Sequence, residues 1–386
     1  MKRAPRLRGV TWGHRRAIDP LVTATEAYER TFGRVGADWS VRDLKAFEHQ
    51  PLAEAVADCD LLVFDHPFIG EIAGSGLFRP VDDCVAADDD AFAGPSLATY
   101  RWHGQLWGAP VDAATMNAIY RDDLLRQVDH EIPQKWQDVI ALGDRLRRKG
   151  LWLGLANGDH HGFLAAGTLM HNAGASWGGG SDGLVIDRDA LGEALSALAE
   201  ANAFAPPECL GMNSIALHDA MTSRDDIAYC PMTYGYATYG EADFGVRRLS
   251  FGPSPGRVAP YEAGTLIGGA AIGITAHCRD VEAAKAFVGW LVSPDAQLGI
   301  FAQHHGQPAI EAAWIDPAID RRFNGYFSAV HSTLRSAAVR PRFRGFGRFE
   351  RVAGQIVGRF LGGETTLPAA VAAIVDLSGA HQPAPD

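Results

Sequence analysis

Short apolar runs and helical periodicities alternate along the first part of the chain. Leu7–Trp12 is a short apolar segment, and Leu61–Phe64 is a run of apolar residues without alternation, which is typical of a strand buried on both faces. Between them, Asp19 as N-cap and Pro20 at the first helical position predict the start of a helix. A short helix is predicted from Ile69 to Gly76. This alternation predicts a parallel sheet covered by helices.

A second block of the same kind begins after a predicted turn at residues 103–105 and a strand-like segment at 116–120. The predicted helices of this block end near Gly150, near Gly174 and near Phe204, and its predicted strands are 151–155 and 227–230. Residues 266–275 read as a return to a sheet, and helices are predicted from there to the C-terminus. The pattern therefore predicts two α/β lobes.

Composition excludes some classes of protein. A chain of 386 residues exceeds the usual span of one hydrophobic core, which favours two domains. The formal charge of −11 argues against a nucleic-acid partner, because there is no excess of Lys and Arg to release counterions. No run approaches the ~20 apolar residues of a membrane helix, so we expect no membrane insertion.

The compartment stays open at this point. The basic residues near the N-terminus are followed by no apolar region and no small-residue cleavage site, so the sequence as given shows no export signal. An odd count of 5 cysteines leaves at least one free thiol, and either buried free thiols or a Cys209–Cys230 disulfide fits the spacing.

Several segments, taken in order, resemble the extracellular solute-binding proteins of carbohydrate ABC importers. Residues 61–83 are similar to that family's strand, ligand loop and helix, and residues 100–125 to its crossover segment. Pro133–Trp136 stands where the family has Pro-x-Thr-Trp, and residues 284–297 match a helix pair with Trp-Leu-x-Ser-Pro. Residues 362–365 look like its terminal Gly-Glu helix signal. His103–Trp107 departs from the commoner Gly-Lys-x-Tyr.

The resemblance implies a two-lobed periplasmic-binding-protein fold, each lobe a mixed sheet flanked by helices, with additional C-terminal helices. Lobe one would comprise 1–112 and 260–310, lobe two 113–259 and 311–386, with Pro- and Gly-rich hinges near 109–113 and 256–264. It also implies a monomer in the periplasm or outside the cell, which closes over a small polar solute, preferably a sugar, and then docks on permease subunits. The missing export signal keeps a cytoplasmic location open. We expect no enzymatic activity, no cofactor and no metal ligand.

Ligands of open α/β sheets lie beyond the carboxyl ends of the strands, which nominates specific loops. The loops of the first lobe supply Trp12 as an apolar plate for a sugar, with His14, Asp65 and His66 as hydrogen-bonding groups, and Arg15 as the cation that an anionic solute would need. The alternatives are a core aromatic, satisfied loop histidines and a helix-capping carboxylate.

The crossover and the second lobe supply further candidates. Asp112 and Thr115 either contact the solute or stabilise a turn. Trp177, in a Gly-rich loop, is either a stacking lid or an exposed loop residue. Thr233–Tyr236 follows a strand and carries the hydroxyls of Tyr234 and Tyr236 past the sheet edge. Gly268 and Gly269 either let backbone approach a solute or form a bulge.

Other functions are weighed on the same residues. A hydrolase is disfavoured because none of the usual nucleophile, zinc-protease or phosphate-loop motifs occurs. Ferric iron could be held by Tyr234, Tyr236 and Tyr239 with His14 or Asp65. Adjacent pairs such as His160–His161 are expected to point apart and share no metal. Another small organic solute, such as a polyamine, an amino-acid derivative or a phosphonate, is a further alternative, and so is a cytoplasmic sensor on the same fold.

Overall fold

The computed structural model describes residues 6–86, 88–128, 131–175, 177 and 184–379. The chain divides into two compact units. The first unit comprises Met1–Ala113, Gly268–Ile319 and Arg342–Arg344, and the second comprises Ala114–Ile267, Asp320–Pro341 and Gly345–Asp386. These bounds differ from the predicted lobes at residue 113, at 260–267 and at 311–319, and the short return at 342–344 has no counterpart in the prediction.

The strands include the predicted ones and several that the apolar pattern missed. In chain order they are β1 Leu7–Trp12, β2 Ala37–Arg42, β3 Leu61–Phe64, β4 Phe78–Arg79, β5 Arg101–Trp102, β6 Gln105–Leu106, β7 Ala109–Tyr120, β8 Trp152–Leu153, β9 Ile227–Tyr234, β10 Ser250–Gly252 and β11 Ile267–Thr275. β1 and β3 match the predicted segments. β2 was missed because it is an edge strand whose side chains are mostly exposed, so it carries no apolar run.

The first unit is built on a mixed sheet. β1 pairs in parallel with both β2 and β3, and β11 pairs antiparallel with β3 and β4. All four residues of β3 are buried, as a strand covered on both faces requires. β5 and β6 form a separate hairpin, whose turn residues His103 and Gly104 have φ of 48° and 77°.

The second unit is built on the long strand β7 and its neighbours. β9 and β10 pair antiparallel with β7, and β8 pairs parallel with β9. β7 is buried along all but its last residue. Its first residues, 109–113, belong to the first unit and the remainder to the second. β11 likewise changes unit, between Ile267 and Gly268.

Helices occupy most of the remaining described chain. They are α1 Arg15–Phe32, α2 Leu44–His49, α3 Leu52–Ala55, α4 Ile69–Ser75, α5 Asp122–Leu125, α6 Trp136–Arg147, α7 His161–Asn172, α8 Arg188–Asn202, α9 Ser214–Ser223, α10 Val281–Leu291, α11 Pro294–Gly299, α12 Glu311–Trp314, α13 Pro317–Arg322, α14 Tyr326–Arg335, α15 Phe346–Leu361 and α16 Leu367–Gly379. Gly76 and Gly174 adopt positive φ of 67° and 86° just after α4 and α7, as the predicted ends require.

The predicted start of α1 at Asp19 is wrong. The helix begins at Arg15, because the ring of His14 accepts a hydrogen bond from the backbone N–H of Arg16 and caps the first turn. Pro20 therefore lies inside the helix, where sequence rules do not expect it. The loop after β1 is correspondingly short, and His14–Arg16 form its end and the helix start together.

Candidate functional site

A buried aromatic pair lies at the carboxyl end of β1 in the first unit. Trp12 is 5% exposed, and its ring centroid lies 4.9 Å from that of Phe47. Its Nε1 is buried and has no hydrogen-bond partner among the described residues. The guanidinium of Arg42, at the end of β2, lies 5.3 Å from the centroid of Phe47. Burial lowers the pKa of Arg42 to about 10. Trp12 therefore combines an apolar ring with an unused N–H donor.

The loop that follows β1 is held by polar contacts within the unit. His14 Nδ1 accepts from the Arg16 N–H at 3.0 Å. The exposed Arg15 forms an ion pair with Asp19 at 3.0 Å, and its Nη2 contacts His305 Nε2 at 2.5 Å. His305 has a φ of 65°, in the left-handed region that non-glycine residues rarely adopt. Sequence reasoning missed His305, which is remote in sequence from the loop and follows no strand.

Asp65 and His66 lie together after β3. Asp65 accepts from the backbone N–H of His66 at 2.8 Å and so caps a short 3-10 helix, His66–Phe68. Its Oδ1 also lies 3.0 Å from His66 Nδ1. The His66 ring is fully buried and packs edge-on to Tyr100, with the centroids 6.3 Å apart. The capping role that sequence left open for Asp65 is present here, and contact with a solute stays a prediction.

Asp112 is engaged by a residue that sequence reasoning did not select. Its carboxylate accepts two hydrogen bonds from Arg16, from Nε at 2.7 Å and from Nη2 at 2.5 Å. The two side chains are 5% and 4% exposed. Burial raises the pKa of the Asp112 carboxyl, and the Arg16 guanidinium acts in the opposite direction. No sequence signal distinguishes Arg16 from Arg15 beside it, because the partner is remote along the chain.

Thr115 and the glycine pair make contacts with the protein itself. Thr115 Oγ1 lies 2.7 Å from Thr265 Oγ1 and 3.2 Å from the Leu266 carbonyl, within the second unit. Gly269 has a φ of 107°, and a Cβ there would stand 2.3 Å from the Asp112 carbonyl oxygen. The close backbone approach predicted for Gly268 and Gly269 is therefore made, at Gly269, to strand β7, which favours the structural alternative.

The prediction of Trp177 as an exposed lid or loop residue is wrong. Its side chain is fully buried in the second unit and stacks on Phe163, with centroids 4.8 Å apart and planes inclined by 22°. A Cβ at Gly167 would stand 1.7 Å from the indole. The ring fills the space that a glycine leaves on α7, so burial of apolar surface and not solute contact explains it. The neighbouring glycines, 178–180, lie outside the described residues.

The tyrosines after β9 are not arranged as phenolate ligands. Tyr234 OH donates to the Ile267 carbonyl at 3.3 Å, and Tyr239 OH donates to Asp219 at 2.6 Å. Burial, followed by the bond to Asp219, raises the pKa of Tyr239, which favours the neutral hydroxyl. Tyr236 is 7% exposed and packs edge-on to His218. These contacts disfavour ferric iron and leave Tyr234 and Tyr236 as donors and aromatic surfaces.

Two features of the second unit were not foreseen. The rings of His160 and His161 do not point apart: their centroids are 4.7 Å apart, because His160 is the N-cap and His161 the first residue of α7. Arg340 is 1% exposed, pairs with Glu350 at 3.1 Å and lies 5.7 Å from the centroid of Tyr234. Arg340 comes from a segment without strand or helix pattern, so sequence gave no reason to select it.

Comparison with known proteins places this arrangement in a family. The family model described as bacterial extracellular solute-binding protein matches residues 45–318. The chain belongs to this family. Among solved structures, maltose-bound MalE3 of T. maritima is similar at 17% identity and a TM-score of 0.84, covering 98% of this chain and 100% of that one.

Two further solved structures are similar to this extracellular solute-binding protein. A solute-binding protein of Agrobacterium vitis with bound D-mannitol has 16% identity, a TM-score of 0.77 and 98% coverage of both chains. The sugar-binding protein MalE of Xanthomonas citri has 17% identity and a TM-score of 0.75, covering 97% of this chain and 96% of that one. At these identities the likeness shows the fold, the predicted two-lobed periplasmic-binding-protein fold.

The structure also bears on the predicted membrane association and on the state of the cysteines. Within the described residues no helix is long and apolar enough to cross a membrane. All 5 cysteines are free and buried, so the Cys209–Cys230 disulfide is not formed.

Proposed function

We propose that this protein is the solute-binding component of an ABC importer and that its solute is an uncharged polyhydroxylated molecule, a sugar or a sugar alcohol. One observation carries the choice of an uncharged solute: the charged side chains nominated for solute binding are paired within their own unit. Arg15 pairs with Asp19 and Asp112 with Arg16, while the Asp65 carboxylate accepts from the backbone N–H of His66 and lies 3.0 Å from the ring of that residue.

This pairing bears on the rival solutes through the cost of burying charge. An anionic or cationic solute leaves water only if the site offers it an opposite charge. Burying an ion without such a partner costs roughly several kcal/mol, even after the protein relaxes around it. A cationic side chain that already pairs with a carboxylate compensates the charge of an anionic solute less well. The hydroxyl groups of a sugar need only donors and acceptors of hydrogen bonds.

The aromatic groups suit the other half of a sugar, its C–H faces. Trp12 supplies a ring with a buried N–H donor that has no acceptor among the described residues. Tyr234 and Tyr236 supply further rings with hydroxyls. Such amphipathic side chains pair an apolar surface with a polar tip. The solutes named for similar structures, maltose and D-mannitol, are of this class.

Family membership supports the role in transport. The bound protein would deliver its solute, outside the cytoplasmic membrane and as a monomer, to permease subunits. Solute favours whichever conformation it contacts best, and a change from mostly open to mostly closed needs ~5 kcal/mol of differential binding.

The test is thermal unfolding against sugars, sugar alcohols, amino acids, polyamines and ferric citrate. A solute that binds only the folded protein stabilises it by ~2.7 kcal/mol at a hundredfold excess over its Kd, so its presence raises Tm. We expect a shift with one sugar or polyol series. A shift only with iron or a charged solute would overturn the uncharged solute, and turnover of a glycoside would overturn the transport function.

A matched pair of tryptophan variants tests whether Trp12 is the aromatic side chain that contacts the solute. Trp12→Phe keeps the aromatic face and removes the N–H donor, so solute affinity should fall about tenfold. Trp290→Phe, on α10 in the same unit and packed on Tyr28, should leave affinity unchanged. Equal affinities for wild type and Trp12→Phe, measured by calorimetry, would remove Trp12 Nε1 from the site.

A further inference from the structure

Arg16 occupies an unfavourable position for a buried cation. It lies in the first turn of α1, where the positive end of the helix dipole opposes a positive charge, and no acidic residue of that turn compensates it. The side chain is nevertheless 4% exposed. Within the first unit its guanidinium pairs with Asp112, through both carboxylate oxygens.

A buried pair of this kind is weak grounds for stability, because the cost of removing two charges from water offsets their attraction. What a bidentate pair supplies is fixed geometry, since the planar guanidinium bonds the carboxylate in one orientation. The pair therefore matters through the two parts of the unit that it holds together.

On one side the pair is attached to a fixed strand segment. Asp112 lies in β7 beside Ala113, which exchanges hydrogen bonds with Gln307: the Gln307 side chain donates to the Ala113 carbonyl at 2.7 Å, and the Ala113 N–H donates to the Gln307 carbonyl at 3.2 Å. The Gln297 side chain donates to the Val111 carbonyl at 3.4 Å. Both glutamines are fully buried. Residues 111–113 are thus anchored without Arg16.

On the other side the pair is attached to the loop after β1. The backbone N–H of Arg16 donates to His14 Nδ1, so the His14 ring and the Asp112 carboxylate hold the same residue from its two ends. Ala17 and Ile18 donate to the His14 carbonyl at 2.8 and 3.0 Å. The backbone around His14 is therefore connected through Arg16 to Asp112.

We propose that Arg16 and Asp112 are positioning residues, which fix the connection from Trp12 at the end of β1 through His14 to Arg15 at the start of α1 to the anchored segment of β7, just before the chain leaves the first unit. Asp112 acts through this pair and not by contacting solute. The role in solute affinity rests on the proposed function, whereas the positioning itself does not.

The test uses a double variant that removes both charges. In Arg16→Met/Asp112→Leu, apolar side chains replace the buried pair, a change that is often neutral or stabilising. Hydrogen–deuterium exchange of the solute-free protein should then rise about tenfold at amides 16–18, within the range of such pairwise couplings. Exchange at 111–113 should stay unchanged, because the glutamines hold that segment.

The control is the exposed pair Lys285–Asp83 of the same unit, at 2.6 Å. Lys285→Gln/Asp83→Asn should leave exchange at 16–18 as in wild type. Unchanged exchange at 16–18 in the double variant, or an equal rise at both segments, would overturn the proposal. If the double variant does not fold, Asp112→Asn, which can accept with only one oxygen, should give the same selective loosening to a smaller extent.

Solute affinity is the second readout. Once a solute is found, the double variant should bind it about tenfold more weakly, with Tm of the free protein unchanged. Unchanged affinity with faster exchange at 16–18 would overturn the link to solute binding. If the panel finds no solute, the exchange experiment still tests the positioning, so the two proposals fail separately.

Discussion

At the residue scale, Trp12 and Trp177 are both buried although sequence nominated both as aromatic surfaces for a solute. Trp12 ends a strand and packs against Phe47, and the indole N–H of each tryptophan is buried without a partner among the described residues. Trp177 stacks on Phe163 over a glycine of α7. Its Gly-rich neighbourhood in the sequence suggested exposure, but no local pattern reveals that Gly167 leaves a space for it.

Truncating Trp177 should therefore affect folding and not recognition. Trp177→Ala removes a fully buried ring and should lower the free energy of unfolding by ~3–5 kcal/mol. Urea unfolding measures the loss, and solute affinity of the remaining folded protein should be unchanged. If Trp177→Ala kept wild-type stability but lost solute affinity, the result would support the predicted stacking lid instead.

His171 should make stability depend on acid. Burial lowers its pKa to about 4, against an ordinary value of ~6.5, so folding favours the neutral ring. The stability that His171 contributes is complete above pH ~6.5 and is lost as the pH falls towards 4, by up to ~3 kcal/mol. Urea midpoints measured from pH 7.5 to 4.5 should fall less in His171→Gln. Parallel curves for the two proteins would contradict this.

At the element scale, sequence located most helices and strands because their apolar patterns are long or their ends carry glycine. It failed where a tertiary contact decides the boundary. The ring of His14 starts α1 before Pro20, and the edge strand β2 has few buried side chains. The hinge that the family resemblance and the Pro and Gly content predict at 256–264 stays a prediction, and this segment lies within the second unit.

The segment 256–264 is attached to the end of α7 by one side chain. Asn172 Nδ2 donates to the carbonyls of Val258 at 2.9 Å and Ala263 at 3.2 Å, and its Oδ1 accepts from the N–H groups of Arg257 and Val258 at 2.6 and 2.9 Å. A single amide thus satisfies donors and acceptors on both arms of the loop. This Pro- and Gly-rich loop is therefore hydrogen-bonded to α7 within the second unit.

Replacing Asn172 should release this loop. Asn172→Ala leaves several backbone groups without partners, at ~1–3 kcal/mol each where they are buried, and should increase proteolysis at 256–264. Asn172→Asp keeps the acceptor for the N–H groups of Arg257 and Val258 but loses the donor. Its rate of proteolysis at 256–264 should therefore lie between those of the wild type and Asn172→Ala. Cleavage at wild-type rates in Asn172→Ala would show that other contacts hold the loop.

At the scale of the whole molecule, sequence was sufficient for the fold class and insufficient for the path of the chain. The order of the segments that resemble the family spans most of the chain, whereas the return of residues 342–344 to the first unit involves three residues with no pattern. There the guanidinium of Arg342 donates to the carbonyls of Ala98, Thr99 and Arg101 at 3.0, 2.7 and 3.1 Å.

Arg342 should therefore stabilise residues far from it in sequence. Arg342→Ala should speed hydrogen exchange at 98–102 selectively, because three carbonyls lose their hydrogen-bond donor. Trp102, whose ring centroid lies 5.4 Å from the guanidinium, also loses this cation–π contact. Arg342→Lys, with a point charge and no planar fork, should restore only part of the protection. Uniform exchange changes over both units would contradict this local role.

The same return has a consequence for synthesis of the chain. Domains often fold from the N-terminus while the ribosome is still elongating the polypeptide. Here the three carbonyls in residues 98–101 lack this donor until Arg342 is translated, after the strands of the second unit and its helices as far as α14. The N-terminal unit is thus completed only shortly before the second, and a nascent chain cut short before Arg342 lacks a part of both units at once.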